Sequence, residues 1–265
     1  MPPAKKRPRA YDPVRTRTAV LTQFGHVRTA VRTLTPAQLS APTRLGTWTV
    51  RDLAAHLTMA VESVTLALER PAPARAELGP LDYACATARH AEAIAEGSHT
   101  LAEANPDLDA LYARVTERLD RALEGTLPGR LITTRAGGMT LADHLVTRTV
   151  ELVVHTDDLN DAVPGLDVPL DRQALAACTR LLADTLAARA PGASTEVRVP
   201  PFAVVQCVEG PRHTRGTPPN VVETDPLTWI RLATGRTDWR TALSTAKVSA
   251  SGERADLGGL LPLMS

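Results

Sequence analysis

Apolar residues recur at helical spacing through the first 160 positions and switch to strand-like alternation only after Pro191-Gly192. Asp12-Pro13 supplies a cap and a proline at the first helical position. Leu21, Phe24, Val27, Val31 and Leu34 then predict one buried face, with His26 beside it as an ordinary, partly exposed residue. After a loop holding Pro36 and Pro42, Thr49 and Asp52 read as a capping box and Trp48 with Leu53 as a hydrophobic staple. The helix that starts there carries His56 among Leu53, Leu57 and Ala60. Residues 70–80 break the pattern, and Leu81 to Ala104 resumes it. His90 and His99 fall nearly on opposite sides of that segment and read as surface residues. Leu108, Leu111, Val115, Leu119 and Leu123 extend a core face, and residues 128–138 read as a loop. Thr140 with Asp143 then caps a last long helix, with Leu141, Leu145, Val146, Leu152 and Val153 as its apolar set. Four long helical segments with connections predict an all-α bundle over residues 11–163.

Pro164 and Gly165 mark a boundary, and residues 164–265 read as a second, smaller unit. Asp171–Ala188 is predicted helical, with strands at Glu196–Val199, Ala203–Val208 and Val221–Glu223 around Pro200-Pro201. Helices are expected from Asp225 and from Asp238, a strand at Lys247–Ser251 and a closing helix at Arg254–Leu263. That order of strands and helices indicates an α+β unit rather than a doubly wound sheet.

Composition narrows the function classes. The 265 residues are 43% hydrophobic and 22% charged, as in a soluble globular protein. A net charge of +1 and an aromatic content of 3% leave neither a field nor stacking platforms for nucleic acid. No apolar run reaches the ~18 residues of a membrane span, so no membrane insertion is expected. Residues 1–10 form a basic, proline-containing tail, read as disordered. Cys85, Cys178 and Cys207 make neither a disulfide framework nor a metal motif and read as small buried hydrophobes in a cytoplasmic protein.

The candidate chemistry lies on the helix begun at Thr140. At about 100° per residue, His144, Arg148, Glu151 and His155 fall within roughly 60° and make one polar stripe. Glu151 and His155, at i and i+4, either share a divalent metal or form an ordinary pair on an exposed helix face. His56 is either a satisfied core histidine or a further ligand. Asp52, one turn earlier, either caps its helix or orients that imidazole.

Trp48-x-x-Arg51-Asp52-Leu53-x-x-His56-Leu57, taken with Arg148-x-x-Glu151-x-x-x-His155-x-x-Asp158-Leu159, resembles the mycothiol-dependent maleylpyruvate isomerase family. The resemblance implies a mainly α protein: a DinB-like four-helix bundle followed by a smaller α+β sterol-carrier-like domain. The second part is similar to the bacterial sterol-carrier ortholog type through Arg198–Phe202, Pro211–Gly216, Asp225–Gly235 and Lys247–Leu261. The resemblance to the isomerase family implies a metal triad of His56, Glu151 and His155, zinc as the ion, and mycothiol as thiol cosubstrate for isomerisation or S-transfer on a small substrate. In the isomerase reaction, a thiolate adds to the double bond of a dicarboxylate, the single bond rotates, and the thiol leaves. Guanidinium groups suit carboxylates, so Arg148 and Arg236 are the candidate catalytic cations. Arg148 has the alternative of pairing with Glu151 or Asp52, and Arg212, His213 and Arg215 form a further basic cluster. A second reading is a non-enzymatic carrier, in which the second domain binds an apolar ligand and the bundle is scaffold.

Overall fold

The molecule is described here by a computed structural model covering residues 9–83, 90–210 and 219–264. Most of the basic tail, Cys85 and the Arg212, His213 and Arg215 cluster lie outside the described residues. Helix α1 (Pro13–Val31) starts where Asp12 Oδ1 accepts from the Val14 and Arg15 amides. A single turn, α2 (Pro36–Leu39), occupies the loop that follows. It was not expected, yet Thr35 and Gln38 form a complete capping box there. Helix α3 (Val50–Glu69) is capped by Thr49, whose amide donates to Asp52 at 2.8 Å. Helices α4 (Ala91–Ala104) and α5 (Leu108–Leu123) complete one side of the bundle. Tyr112 of α5 stacks on Phe24 with ring centroids 4.8 Å apart and donates its hydroxyl to the Ala54 carbonyl at 2.8 Å.

The segment expected as a loop is instead a hairpin. Strands β1 (Leu131–Thr133) and β2 (Gly138–Thr140) pair antiparallel, with Ile132 opposite Met139. Both of those side chains are buried in the bundle core, which is what holds so short a ladder. Gly137 turns the chain at φ 141°, a conformation that favours glycine. Helix α6 (Leu141–Ala162) follows directly, capped by Thr140.

The second unit opens with α7 (Arg172–Arg189), capped by Asp171. Strands β3 (Thr195–Val199), β4 (Ala203–Cys207), β5 (Val221–Thr224) and β6 (Val248–Ser251) form one sheet in the order β4-β3-β5-β6. Only β3 and β5 run parallel, with Val197 opposite Val222. Helices α8 (Pro226–Ala233) and α9 (Trp239–Ser244) connect β5 to β6. The expected closing helix reduces to one 3-10 turn, Gly258–Leu260. Gly258 and Gly259 disfavour a helix there, while Leu257 and Leu263 anchor the segment by burial. The fold is thus mainly α, a helical bundle followed by a small α+β unit.

Helix α6 has no solvent side of the usual width. Leu141, Leu145, Leu152 and Leu159 belong to the bundle core, whereas Val146, Val150, Val153 and Val154 pack with α7 and the sheet in a second core. The polar stripe runs along this doubly buried helix, and the exposed-face alternative is excluded: His144 is 5% and Arg148 7% exposed. No helix among the described residues is long and apolar enough to cross a membrane.

Because α6 serves two cores, substitutions on its two faces should act independently. Leu159→Ala should cost about 2–5 kcal/mol, Val150→Ala should also destabilise, and the double variant should equal the sum within about 0.5 kcal/mol in urea unfolding. A coupling well above that value would mean the two faces share one packing unit.

Candidate metal and ligand site

Two helices bring three donors to one point. His56 sits two turns into α3, and Glu151 and His155 stand one turn apart on α6. His56 Nε2 lies 3.2 Å from Glu151 Oε2, and His155 Nε2 lies 3.4 Å from the same oxygen. All three ligand atoms fall within 4.8 Å of one another, and the two rings stand edge to face with centroids 4.8 Å apart. For tetrahedral zinc, with bonds near 2.0–2.1 Å, neighbouring donors are separated by about 3.3 Å. The two shorter separations match that edge, so this donor set fits a divalent metal.

Each imidazole is held through its other nitrogen. The Ser98 hydroxyl donates to the Ile94 carbonyl at 2.7 Å, which leaves its oxygen to accept from His56 Nδ1 at 3.3 Å. His155 Nδ1 donates to Asp158 at 2.8 Å. Both Nε2 atoms are therefore presented to Glu151, the arrangement that metal-ligating histidines use. Trp48 packs its ring edge-on against His56 at 5.1 Å.

The electrostatics follow from burial and pairing. Burial pushes the Glu151 carboxyl up, but hydrogen bonds from His155 and His56 outweigh it and hold it well below the usual carboxylate range. Burial lowers His155, yet Asp158 and Glu151 on either side raise it to about 9. His56 is lowered, because desolvation exceeds the help of Glu151.

Other expectations resolve differently. Asp52 does not orient His56; it closes its own capping box and pairs with His99 Nδ1 at 3.1 Å. His99 is thus a partner of the helix start rather than a plain surface residue, and His90 lines the neighbouring cavity. Arg148 pairs with neither Glu151 nor Asp52. Its Nε and Nη2 donate to the Thr147 hydroxyl at 3.2 and 3.1 Å, and its Nη1 to the Ala60 carbonyl at 3.4 Å. Burial lowers its pKa to about 10, and it lies over the Tyr83 ring at 5.3 Å. Arg236, expected to face a substrate, is engaged by Asp158 through Nε at 3.2 Å and Nη2 at 2.8 Å, and by the Thr234 carbonyl through Nη1. It reaches the site through Asp158 and His155.

Arg236 is one of three arginines at this joint. Arg231 of α8 grips Asp157 at 2.9 and 2.6 Å, and Arg44 lies 3.3 Å from Asp158 and 3.1 Å from Asp161. Arg44, Arg231 and Ser98 had no signal in the sequence, since each is joined to the site only by distant chain.

A cavity of about 490 Å³ opens beside the cluster, walled by His56, Glu151, Arg148 and His144 on one side. His144 Nε2 lies 3.2 Å from the Ser63 hydroxyl oxygen, and burial with the adjacent Arg148 keeps the ring neutral.

Comparison with known proteins places this architecture. The family model for the mycothiol maleylpyruvate isomerase N-terminal domain matches residues 20–160, and that for the bacterial SCP ortholog matches residues 171–263. No curated protein matches the chain. Crystal structures of the mycothiol-dependent maleylpyruvate isomerase, and of a histidine-to-alanine mutant of it, superpose with a TM-score of 0.59 at 18% sequence identity. Each comparison covers 93% of this chain and 95% of that one, and at this identity the likeness concerns the fold. The N-terminal match spans more than half of the 265 residues, and the chain belongs to the mycothiol maleylpyruvate isomerase N-terminal domain family.

Proposed function

We propose that this protein is a metal-dependent enzyme that uses the small thiol mycothiol to isomerise, or transfer sulfur to, a small electrophilic substrate. The observation that carries the reading is the convergence of His56, Glu151 and His155 on the edge of a cavity. The family's name and that of its structural neighbours supply the thiol. Zinc is the ion best suited to two imidazoles and a carboxylate, and three protein ligands are the number that leaves a position open. When bound, such an ion supplies a Lewis-acid centre at which a thiol loses its proton near neutral pH.

The chain's own residues do the rest. Ser98 and Asp158 fix the tautomers of His56 and His155, so both Nε2 atoms stay directed inward. Arg148, buried one turn from Glu151, offers its remaining N–H groups to an anionic group of the substrate. The apolar walls around it lower the local dielectric and strengthen that contact. In this reading residues 11–163 hold the chemistry, and residues 164–265 act as the unit that braces it through Arg231 and Arg236. The carrier alternative puts an apolar ligand in the second unit. The large cavity, however, lies in the bundle, and Trp229, Ile230 and Leu232 close-pack the second core.

Elemental analysis of the purified protein should find one zinc per chain, lost in His56→Ala and His155→Ala. Metal-free protein that is fully folded would refute the reading. Ser98→Ala should leave the fold intact and weaken metal affinity by about 10–100-fold in chelator competition, because it frees the His56 ring. Mycothiol should bind the metal-loaded protein and lose measurable affinity when a chelator is present; equal binding in both would remove the ion from thiol recognition.

A further inference from the structure

The cavity wall carries information about the substrate beyond the thiol chemistry. Opposite the polar cluster it is apolar, formed by Met59, Leu66, Leu78, Ile94, Val115 and Met139. Its volume of about 490 Å³ lies in the range that encloses drug-sized ligands, ~300–1,000 Å³. A small dicarboxylate would leave most of that surface in contact with water, whereas an extended apolar body would cover it.

With the open metal position of the proposed enzyme taken by the thiol, the fixed charges on the wall count the anions left for the electrophile. Among the described residues, Arg148 is the buried cation that faces no carboxylate within ion-pair distance. Three of its five N–H groups are committed to Thr147 and Ala60, which leaves two for a ligand. A buried charge without a counter-ion is costly, so an anion from outside is favoured at this spot. The other cations are engaged or peripheral. Arg118 is bound to both Glu62 and Glu69, and Arg114, Arg70 and Arg135 are exposed. Glu62 itself is a carboxylate on the wall and opposes a second negative group.

We infer that the electrophile is an amphipathic monoanion, with one carboxylate on Arg148 and an apolar chain or ring against Met59, Leu66, Ile94 and Val115, rather than a dicarboxylate. The neutral His144–Ser63 pair lies one turn before Arg148 and provides a hydrogen-bonding station beside the anchored group. The inference rests on the proposed enzyme for the word electrophile and for the thiol that occupies the metal position, while the preference for an apolar body stands on the cavity alone.

Calorimetry on the purified protein with decanoate, decanol and maleate tests it without knowing the natural substrate. Decanoate should bind at least tenfold more tightly than either of the others, since only it offers both the anion and the apolar body. Arg148→Met should lower decanoate affinity at least tenfold and leave decanol unchanged. Leu66→Asp, at a half-open position that tolerates change, should weaken decanoate and decanol alike while sparing maleate. Maleate binding as tightly as decanoate, or decanoate indifferent to both substitutions, would overturn the inference. The ranking of the three probes on the unaltered protein decides the matter even where Arg148→Met fails to fold. A protein without metal would sink the proposed enzyme and leave this ranking still to be read.

Discussion

Glu151 is a carboxylate set between two helices, and a charge in that position must be compensated. The compensation comes from two imidazoles, which sit at 3.2 and 3.4 Å from one of its oxygens. Those rings need partners on their far side, and this demand spreads through the molecule. Ser98 on α4 satisfies one, and Asp158, one turn further along α6, satisfies the other. Every additional charge then calls for another, until the chain of partners reaches the surface.

Asp157 and Asp158 show the cost of that chain. They lie in the last turns of α6, where the carbonyl end of a helix disfavours negative charge. Burial alone would push the Asp158 carboxyl up, yet His155 and Arg236 hold it well below the usual range. Arg44 from the loop before α3, Arg231 from α8 and Arg236 just beyond it supply the opposing charge. Two of the three belong to the second unit. Its docking is therefore electrostatically tied to the histidine at the site, in addition to the apolar contact that Val146, Val150 and Val153 make with α7 and the sheet.

The cavity is the complementary half of the design. Its apolar wall is made by α3, α4, α5 and the β1-β2 hairpin, elements present for bundle packing that leave a space between them. Arg148 enters that space without a carboxylate partner, an arrangement that a stability argument alone would disfavour. Sites of this kind are where local rules of folding give way to function.

Much of the helical framework was legible because amphipathic periodicity and capping chemistry are local. Asp12, Thr49, Thr140, Asp171 and Asp225 each mark a helix start within a residue, since a side chain that caps an amide does so two or three positions away. The i,i+4 pair of Glu151 and His155 was likewise visible, as one helix turn sets their separation. Where the sequence fell short, distant contact decided. The hairpin at Leu131–Thr140 is too short to announce itself and exists because Ile132 and Met139 find the bundle core. The closing segment has helix-like apolar spacing, but its two glycines yield to the burial of Leu257 and Leu263. Composition and spacing by themselves determined a bundle with a polar stripe and a smaller α+β unit after it. Tertiary structure alone decided that His56 meets the stripe, that Asp52 turns to His99, that Arg236 is taken by Asp158 and that Arg148 is left facing a cavity. The reason is physical: a side chain's partner across ~95 positions depends on how helices pack, and packing is a property of the whole chain.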